Sequence, residues 1–429
     1  MTCPVRVHQL LEKYIRLVMT TSKNTRKTSA ASSGPLLGTR ILDISTVIAG
    51  PFASALMGDM GADVLKIEIP GTGDHIRHLP PYKDGVPLWS KVTNRNKRGM
   101  TLDLRTPEGK QIFERLLPQY DVVVENFRPG TLARWGLTIE RMHELNPGLI
   151  VLRVTGFGQD GPYSSMPGFA RSFEALSGFV NLCGQADGPP MYPGFPVSDA
   201  LTGVFGAYAV AAALVEREKS PDHLGQEIDL SATEAMFRVL DFMPIEYDQL
   251  GIVRQRQGNL NAYSAPSDVY RTADDRWVAM AVSAPTVFAR LARAWGREDL
   301  LTDPDFCTNT ARLAHRDAIE KIARDWFKAR TMEEASQTLM EFDVSFAPIH
   351  NIRDIFNDPH FQSRQAIISV DDEQLGPVRM QNVVPRFSKT PGRVWRTGPS
   401  MGQHNLEVLS EELGLMADEI ERLENQKVI

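Results

Sequence analysis

The sequence predicts an α/β protein: a mostly parallel sheet with helices on both faces, and a smaller α/β domain inserted late in the chain. Three observations carry that reading. From Gly38 onward, short apolar runs of strand length alternate with segments of helical patterning. The stretch Val253 to Ser264 is polar and turn-rich, which marks a boundary, and the alternation beyond it runs on a smaller scale. The chain also has 429 residues, 42% hydrophobic and 23% charged, a globular composition too long for one typical core.

The elements follow in order. Arg40 to Ile44 reads as a short buried strand, after which Ala49-Gly50-Pro51 opens a helix through Met60. Proline is tolerated there because a first-turn amide would have no partner within the helix. Ala62 to Ile67 is the next strand, closed by Pro70-Gly71-Thr72-Gly73-Asp74. Thr106 caps a helix that begins Pro107-Glu108 and runs to about Leu117. Asp121 to Glu125 and Leu149 to Val154 are further strands, an apolar helix covers Val204 to Val215, and Gly225 to Leu230 is again strand-like. One long helix is expected from Ser231 to about Leu250. Helices near 286–296, 311–328 and 332–341 surround a strand at Trp277 to Val282. Strands at Ala366 to Val370 and Val378 to Val384 and a helix near 405–425 complete the chain. The expected domains are a tail over 1–36, a large domain begun by 37–250 and completed by 358–429, and a small domain over 265–350.

Composition excludes several functions. The net charge is −6, so no basic excess points to nucleic acid. Cys3, Cys183 and Cys307 lie far apart, which fits a reducing compartment and argues against a disulfide framework or a cysteine metal site. His75 and His78 form the one close histidine pair, lack a third ligand at suitable spacing, and read as loop residues. No apolar run approaches the ~20 residues that span a bilayer, so no membrane is expected. In the first 36 residues, six basic side chains face a single acid, Glu12, and a Ser/Thr/Ala-rich stretch follows. That composition resembles a mitochondrial transit peptide and equally suits a disordered tail. The expectation is a cytoplasmic protein, with the mitochondrial matrix as the alternative.

The strand–helix junctions carry the ligand signal. Gly71-x-Gly73 lacks the GxGxxG spacing of a dinucleotide site, and neither a phosphate loop nor a Gly-x-Ser-x-Gly elbow occurs. Basic residues gather at other junctions: Asn94-Arg95-Asn96-Lys97-Arg98, Arg105, Arg128 and Arg134. Each reads as solvated surface charge or, beside strand ends, as a receptor for phosphates. Asp199 follows the small-residue turn Gly194-Phe195-Pro196-Val197-Ser198 and opens an apolar helix. It reads as a simple cap or, kept ionised by the helix N-terminus, as a nucleophile.

Leu42-Asp43-x-Ser45, Ala49-Gly50-Pro51-Phe52, Gly58 to Glu68 and Pro70-Gly71-x-Gly73-Asp74 form a dense opening run. Asn94 to Arg98, Leu102-Asp103-Leu104, Val124 to Gly130 and Leu145-Asn146-Pro147 follow. Thr155 to Pro162, Ser177-Gly178, Gly225-Gln226, Asp358-Pro359 and Gly402 to Asn405 come later. In order and spacing, over about residues 37 to 415, these motifs resemble the family III CoA-transferases. The resemblance implies a Rossmann-like large domain with a small domain, two subunits interlocked like links of a chain, and no permanently bound cofactor. It places the nucleophile at Asp199, which would form an acyl anhydride and then an aspartyl-CoA thioester. It implies CoA contacts at Ile48, Ala49, Leu102, Arg105, Asn126, Phe127, Arg128 and Arg134, with Arg105 and Arg134 as phosphate partners. The sequence departs from the formyl-CoA enzyme at Ile48, which replaces a glutamine, and at Ile69, which replaces an arginine, so oxalate is not expected as acceptor.

Two alternatives remain open at this point. Racemases of the same fold use a histidine–aspartate pair in a Gly-His-Asp segment, matched here by Gly168-Phe169-Ala170, where Phe169 cannot carry a proton. A non-catalytic acyl-CoA-binding protein is the other. Arg171 and Glu174 read as a surface pair on a helix or as residues that recognise the acceptor; Arg171 would suit a second carboxylate, as in succinate, which makes succinyl-CoA a candidate donor.

Overall fold

The computed structural model describes residues 33–429, so all but the end of the basic tail lies outside the described residues. Six parallel strands form the main sheet: β1 (Arg40–Asp43), β2 (Asp63–Glu68), β3 (Lys97–Thr101), β4 (Val122–Glu125), β5 (Ile150–Thr155) and β6 (Glu227–Ser231). Their spatial order is β3-β2-β1-β4-β5-β6, every neighbouring pair parallel. The order reverses between β1 and β4, and in such sheets the crevice beyond that point is where ligands bind.

Side chains alternate between the two faces, as a pleated strand requires. Ile41, Val122, Val124, Ile150 and Leu152 pack with Ala53 and Met57 of α1 (Ala49–Asp59). Val210 and Leu214 from a longer helix join the same cluster. Leu42, Val123 and Val151 point the other way, onto Ile112, Phe113 and Leu116 of α2 (Pro107–Leu116). The C-terminal residues Val408, Leu409, Ile420, Leu423, Val428 and Ile429 cover that same face. On the first face, α1 lies beside α4 (Val197–Lys219), which packs in turn on α3 (Ala170–Leu176) and α5 (Ala232–Arg238). Residues 265–344 enclose a separate apolar cluster around a three-stranded antiparallel sheet, Ser267–Arg271, Trp277–Ala281 and Phe346–Pro348.

Three expectations need correction. The helix from Ser231 to Leu250 is two helices, α5 and α6 (Met243–Leu250), because Asp241 between them adopts φ 53, outside the helical range. The bilayer-length argument also fails: α4 has 23 residues and is apolar enough to cross a membrane. Its apolar run instead packs on α1 and β5 within the helical layer.

The third concerns Asn94 to Arg98, which is neither solvated nor a phosphate receptor. Lys97 and Arg98 begin β3, and all five side chains are buried. Arg95 pairs with Asp59 at 2.5 Å, and Arg98 with Asp63 at 2.8 Å and Glu412 at 2.6 Å. Lys97 Nζ lies 2.8 Å from Asp43 and donates to the Pro51 carbonyl. Burial draws the Lys97 ammonium down to about 8, against the attraction of Asp43. Burial alone would raise Asp43, but Lys66 and Lys97 outweigh it and hold the carboxyl well below the usual range. Asp43→Asn therefore takes from buried Lys97 its ion-pair partner, while Lys66 keeps Asp74, and we expect a loss of about 3–5 kcal/mol in chemical denaturation. A loss below about 1 kcal/mol would refute this account of the cluster.

Candidate functional site

The crevice at the strand-order reversal is shaped by one strained loop. After β1 the chain passes Ser45-Thr46-Val47, and Val47 has φ 67, a left-handed backbone that β-branched residues rarely adopt. The Asp74 carboxylate accepts the Val47 amide at 2.9 and 3.2 Å, and Lys66 Nζ stands 3.1 Å from Asp74. Lys66 also donates to the Ser45 carbonyl. Across the reversal, Asn126 at the end of β4 accepts the Thr46 amide at 2.7 Å and donates to the Thr46 carbonyl at 2.8 Å. Both walls of the crevice are thus bolted together by backbone-directed bonds.

α4 brings Asp199 to this crevice. Pro196 stands at its N-cap and supplies no side-chain bond to the helix, so the chain starts the turn without a cap. Asp199 is the third helical residue and is not the cap, so its carboxylate is not spent on the helix amides. Instead the buried Glu174 of α3 accepts the Ser198 amide at 3.1 Å, while Ser198 Oγ donates to the Ala170 carbonyl at 3.1 Å. One turn further on, Gly203 lets α4 touch α1: a Cβ there would lie 2.8 Å from the Phe52 ring and 3.0 Å from the Ala49 carbonyl. Asp199 is partly buried. Burial, and then the negative charge of Glu174, push its carboxyl up to about 6. Both effects act against the first turn of α4, whose partial positive charge favours the carboxylate.

The resulting cleft of about 220 Å³ is lined by Val47, Ile48, Ala49, Asn126, Phe127 and Arg128. Thr155, Gly156, Met166, Phe169, Phe173 and Asp199 complete its lining. Asp199 and Arg128 are its charged groups, the carboxylate partly buried and the guanidinium exposed.

The model of CoA-transferase family III matches residues 36–405 of this chain. The chain is a family III CoA-transferase. Among its relatives, a succinyl-CoA–D-citramalate CoA-transferase of Chloroflexus aurantiacus is 42% identical, covering 92% of this chain and 98% of that protein. A succinate–glutarate CoA-transferase of Agrobacterium fabrum is 36% identical over 88% and 95% of the two chains. The crystal structure of a CAIB/BAIF family protein from Brucella suis superposes with a TM-score of 0.79 at 30% identity, covering 88% of this chain and 99% of that one.

In this transferase the sequence-derived residues separate into two groups. Ile48, Ala49, Asn126, Phe127 and Arg128 converge on the cleft with Asp199. Leu102 is buried in the core beneath α2, Arg105 is exposed and paired with Asp103 at 2.7 Å, and Arg134 donates to Thr131. None of these three lines the cleft. Ile48 is a buried apolar part of the wall, and Ile69 accepts the Gly73 amide through its carbonyl.

Arg171 and Glu174 are not a surface pair. Arg171 is exposed over the Tyr192 ring at 5.0 Å, whereas Glu174 is 1% exposed and faces α4. The helical spacing held the signal: Ala170, Phe173, Glu174 and Ser177 share one face, and all four are buried. Sequence reasoning missed Val47, Asp74 and Lys66 as site-shaping residues, although the Asp74 motif was visible.

Gly203→Val should force α4 away from α1 and displace Asp199 without touching substrate. We expect kcat for CoA transfer to fall by about 10²-fold while the protein stays folded by circular dichroism. Unchanged kcat would show that the close helix contact is dispensable.

Proposed function

We propose that this enzyme moves CoA from succinyl-CoA to a small dicarboxylic acid, with Asp199 as the covalent nucleophile. The observation that carries the reading is Asp199 itself, an uncommitted carboxylate set in the cleft at the strand-order reversal, raised to about 6 and therefore mostly ionised at neutral pH. Relatives named for transfer from succinyl-CoA to D-citramalate or L-malate, and between succinate and glutarate, support the choice of substrates.

The chemistry needs no net proton transfer. An Asp199 oxygen attacks the thioester carbonyl carbon, the C–S bond breaks, and CoA leaves as thiolate with the electron pair. The thiolate then attacks the Asp199 carbonyl of the anhydride and expels the donor acid as a carboxylate. The acceptor carboxylate runs the two steps in reverse. Coenzyme A enters as substrate, and the carriers of reactivity are carboxylate and thiolate. Ile48, Ala49, Asn126, Phe127 and Arg128 would hold the CoA arm, with Arg105, Arg134 and the Leu102 segment beyond the cleft toward its phosphates. Arg171, facing solvent over Tyr192, does not support a role on the second carboxylate within one chain.

The racemase alternative is disfavoured because Gly168-Phe169-Ala170 supplies no proton carrier beside Asp199. An interlocked homodimer is supported by a broad apolar surface: Val204 and Tyr208 on α4, Phe237 on α5, and Ile245 and Leu250 on α6 are exposed.

Intact-protein mass spectrometry after mixing with succinyl-CoA should show a CoA-sized adduct. Hydroxylamine should convert it to a hydroxamate at Asp199, and both should be absent from Asp199→Asn. The same variant should keep CoA affinity; an adduct that persists in it would refute the nucleophile assignment. The pH profile of kcat/KM should fall on the acid side with a limb near pH 6, because protonation removes the attacking lone pair. Activity flat to pH 4.5 would contradict that assignment.

A further inference from the structure

We infer that Glu174 is a positioning residue that fixes the first turn of α4 and holds a buried negative charge beside the Asp199 nucleophile, an inference that rests on the proposed role of Asp199. The placement is specific. Glu174 Oε1 accepts the amide of Ser198, the residue immediately before Asp199, and thereby replaces the cap that Pro196 cannot provide. The same turn is tied again by Ser198 Oγ on the Ala170 carbonyl and by Thr202 Oγ1 on the Ser198 carbonyl at 2.6 Å. α3 and α4 are thus joined twice at Ser198, through its amide and its hydroxyl, and the Thr202 bond secures the turn within α4.

A glutamine would serve this hydrogen bond equally well, so we assign the carboxylate a second task, as a negative charge near Asp199. The side chain is 1% exposed, and no described arginine, lysine or histidine forms an ion pair with it. Its field falls on Asp199 and on the Cys183 thiol, both of which it pushes up behind the larger effect of burial. The other charged group of the cleft, Arg128, is exposed to solvent. On the neighbouring elements, Asp59 of α1 is paired with Arg95, and α5 carries Glu234 in its first turn and Arg238 in its last.

A charge so placed acts on the reaction in a definite direction. When Asp199 attacks the thioester, its own negative charge is transferred to the departing thiolate, and the anhydride left behind is neutral. Repulsion from Glu174 is present before the attack and relieved after it. The free carboxylate is made more basic, and the covalent states become more favourable relative to it. Glu174 touches neither substrate nor the reacting atoms through its hydrogen bond; it acts through Asp199.

The test compares wild type, Glu174→Gln and Glu174→Ala, with succinyl-CoA as donor and D-citramalate, L-malate and glutarate as the acceptor panel. Thermal melting establishes that each variant is folded. Glu174→Gln keeps an acceptor oxygen for Ser198 and removes the charge. We expect the acid limb of its kcat/KM profile to move down by about one pH unit, so that activity at pH 5 relative to pH 8 rises about fivefold. The fraction of enzyme trapped by hydroxylamine should fall at the same time. Glu174→Ala loses the hydrogen bond as well and should show the same limb shift with a further drop in kcat. A Glu174→Gln profile that superposes on wild type, with trapping intact, would overturn the charge role while leaving the Asp199 reading standing. No hydroxamate in wild type would overturn the Asp199 reading and this inference together.

Discussion

Two buried lysines and two buried aspartates at the carboxyl ends of β1 and β2, and beside β3, set the geometry on which the site rests. Asp43 closes β1, Lys66 stands in β2, Lys97 begins β3, and Asp74 follows β2. Such a cluster is expensive to desolvate, and it is tolerated because each charge meets opposite charge or backbone acceptors at close range. Its effect is to tie three strands together and to grip the Ser45–Val47 loop from below. A shape of this kind would relax if the loop had only its own conformational preferences, since Val47 sits where a β-branched residue resists staying.

On that frame the helical layer places Asp199. Small residues let α1 and α4 approach, with Gly203 and Gly206 against Ala49, Ala53 and Phe52. The approach carries the first turn of α4 to the rim of the crevice. The absence of a capping side chain at Pro196 would ordinarily weaken a helix start by about 1 kcal/mol, and here a neighbouring helix supplies the missing acceptor through Glu174. Local sequence weakness is thereby converted into a tertiary linkage between α3 and α4. Mechanical support and electrostatic influence reach Asp199 from the same side chain.

The apolar surfaces tell a related story. One wall of the cleft, with Met166 and Phe169, is largely open to solvent, as are Tyr208 on α4 and Ile245 on α6. If Asp199 forms the proposed covalent intermediates, a second copy seated on this apolar surface would shield them from water. Anhydrides and thioesters hydrolyse, so exclusion of water is a requirement of transfer chemistry.

The alternation of strands and helices, a separate apolar cluster from Ala265, and the place of Asp199 in the first turn of an apolar helix were legible in the sequence. Each leaves a local trace: short continuous apolar runs, a polar turn-rich stretch, a lone acid ahead of an apolar helix. The family motifs were legible for the same reason, since they are contiguous. What only the tertiary structure decided was where charge goes. Asn94 to Arg98 looks like a ligand-binding cluster in one dimension, and becomes buried scaffolding because Asp43, Asp59, Asp63 and Glu412 arrive from elsewhere in the chain. Arg171 and Glu174 are three residues apart, yet one faces water and the other α4. Coulomb energy depends on distance and on burial, and both are properties of the folded chain that sequence spacing does not contain.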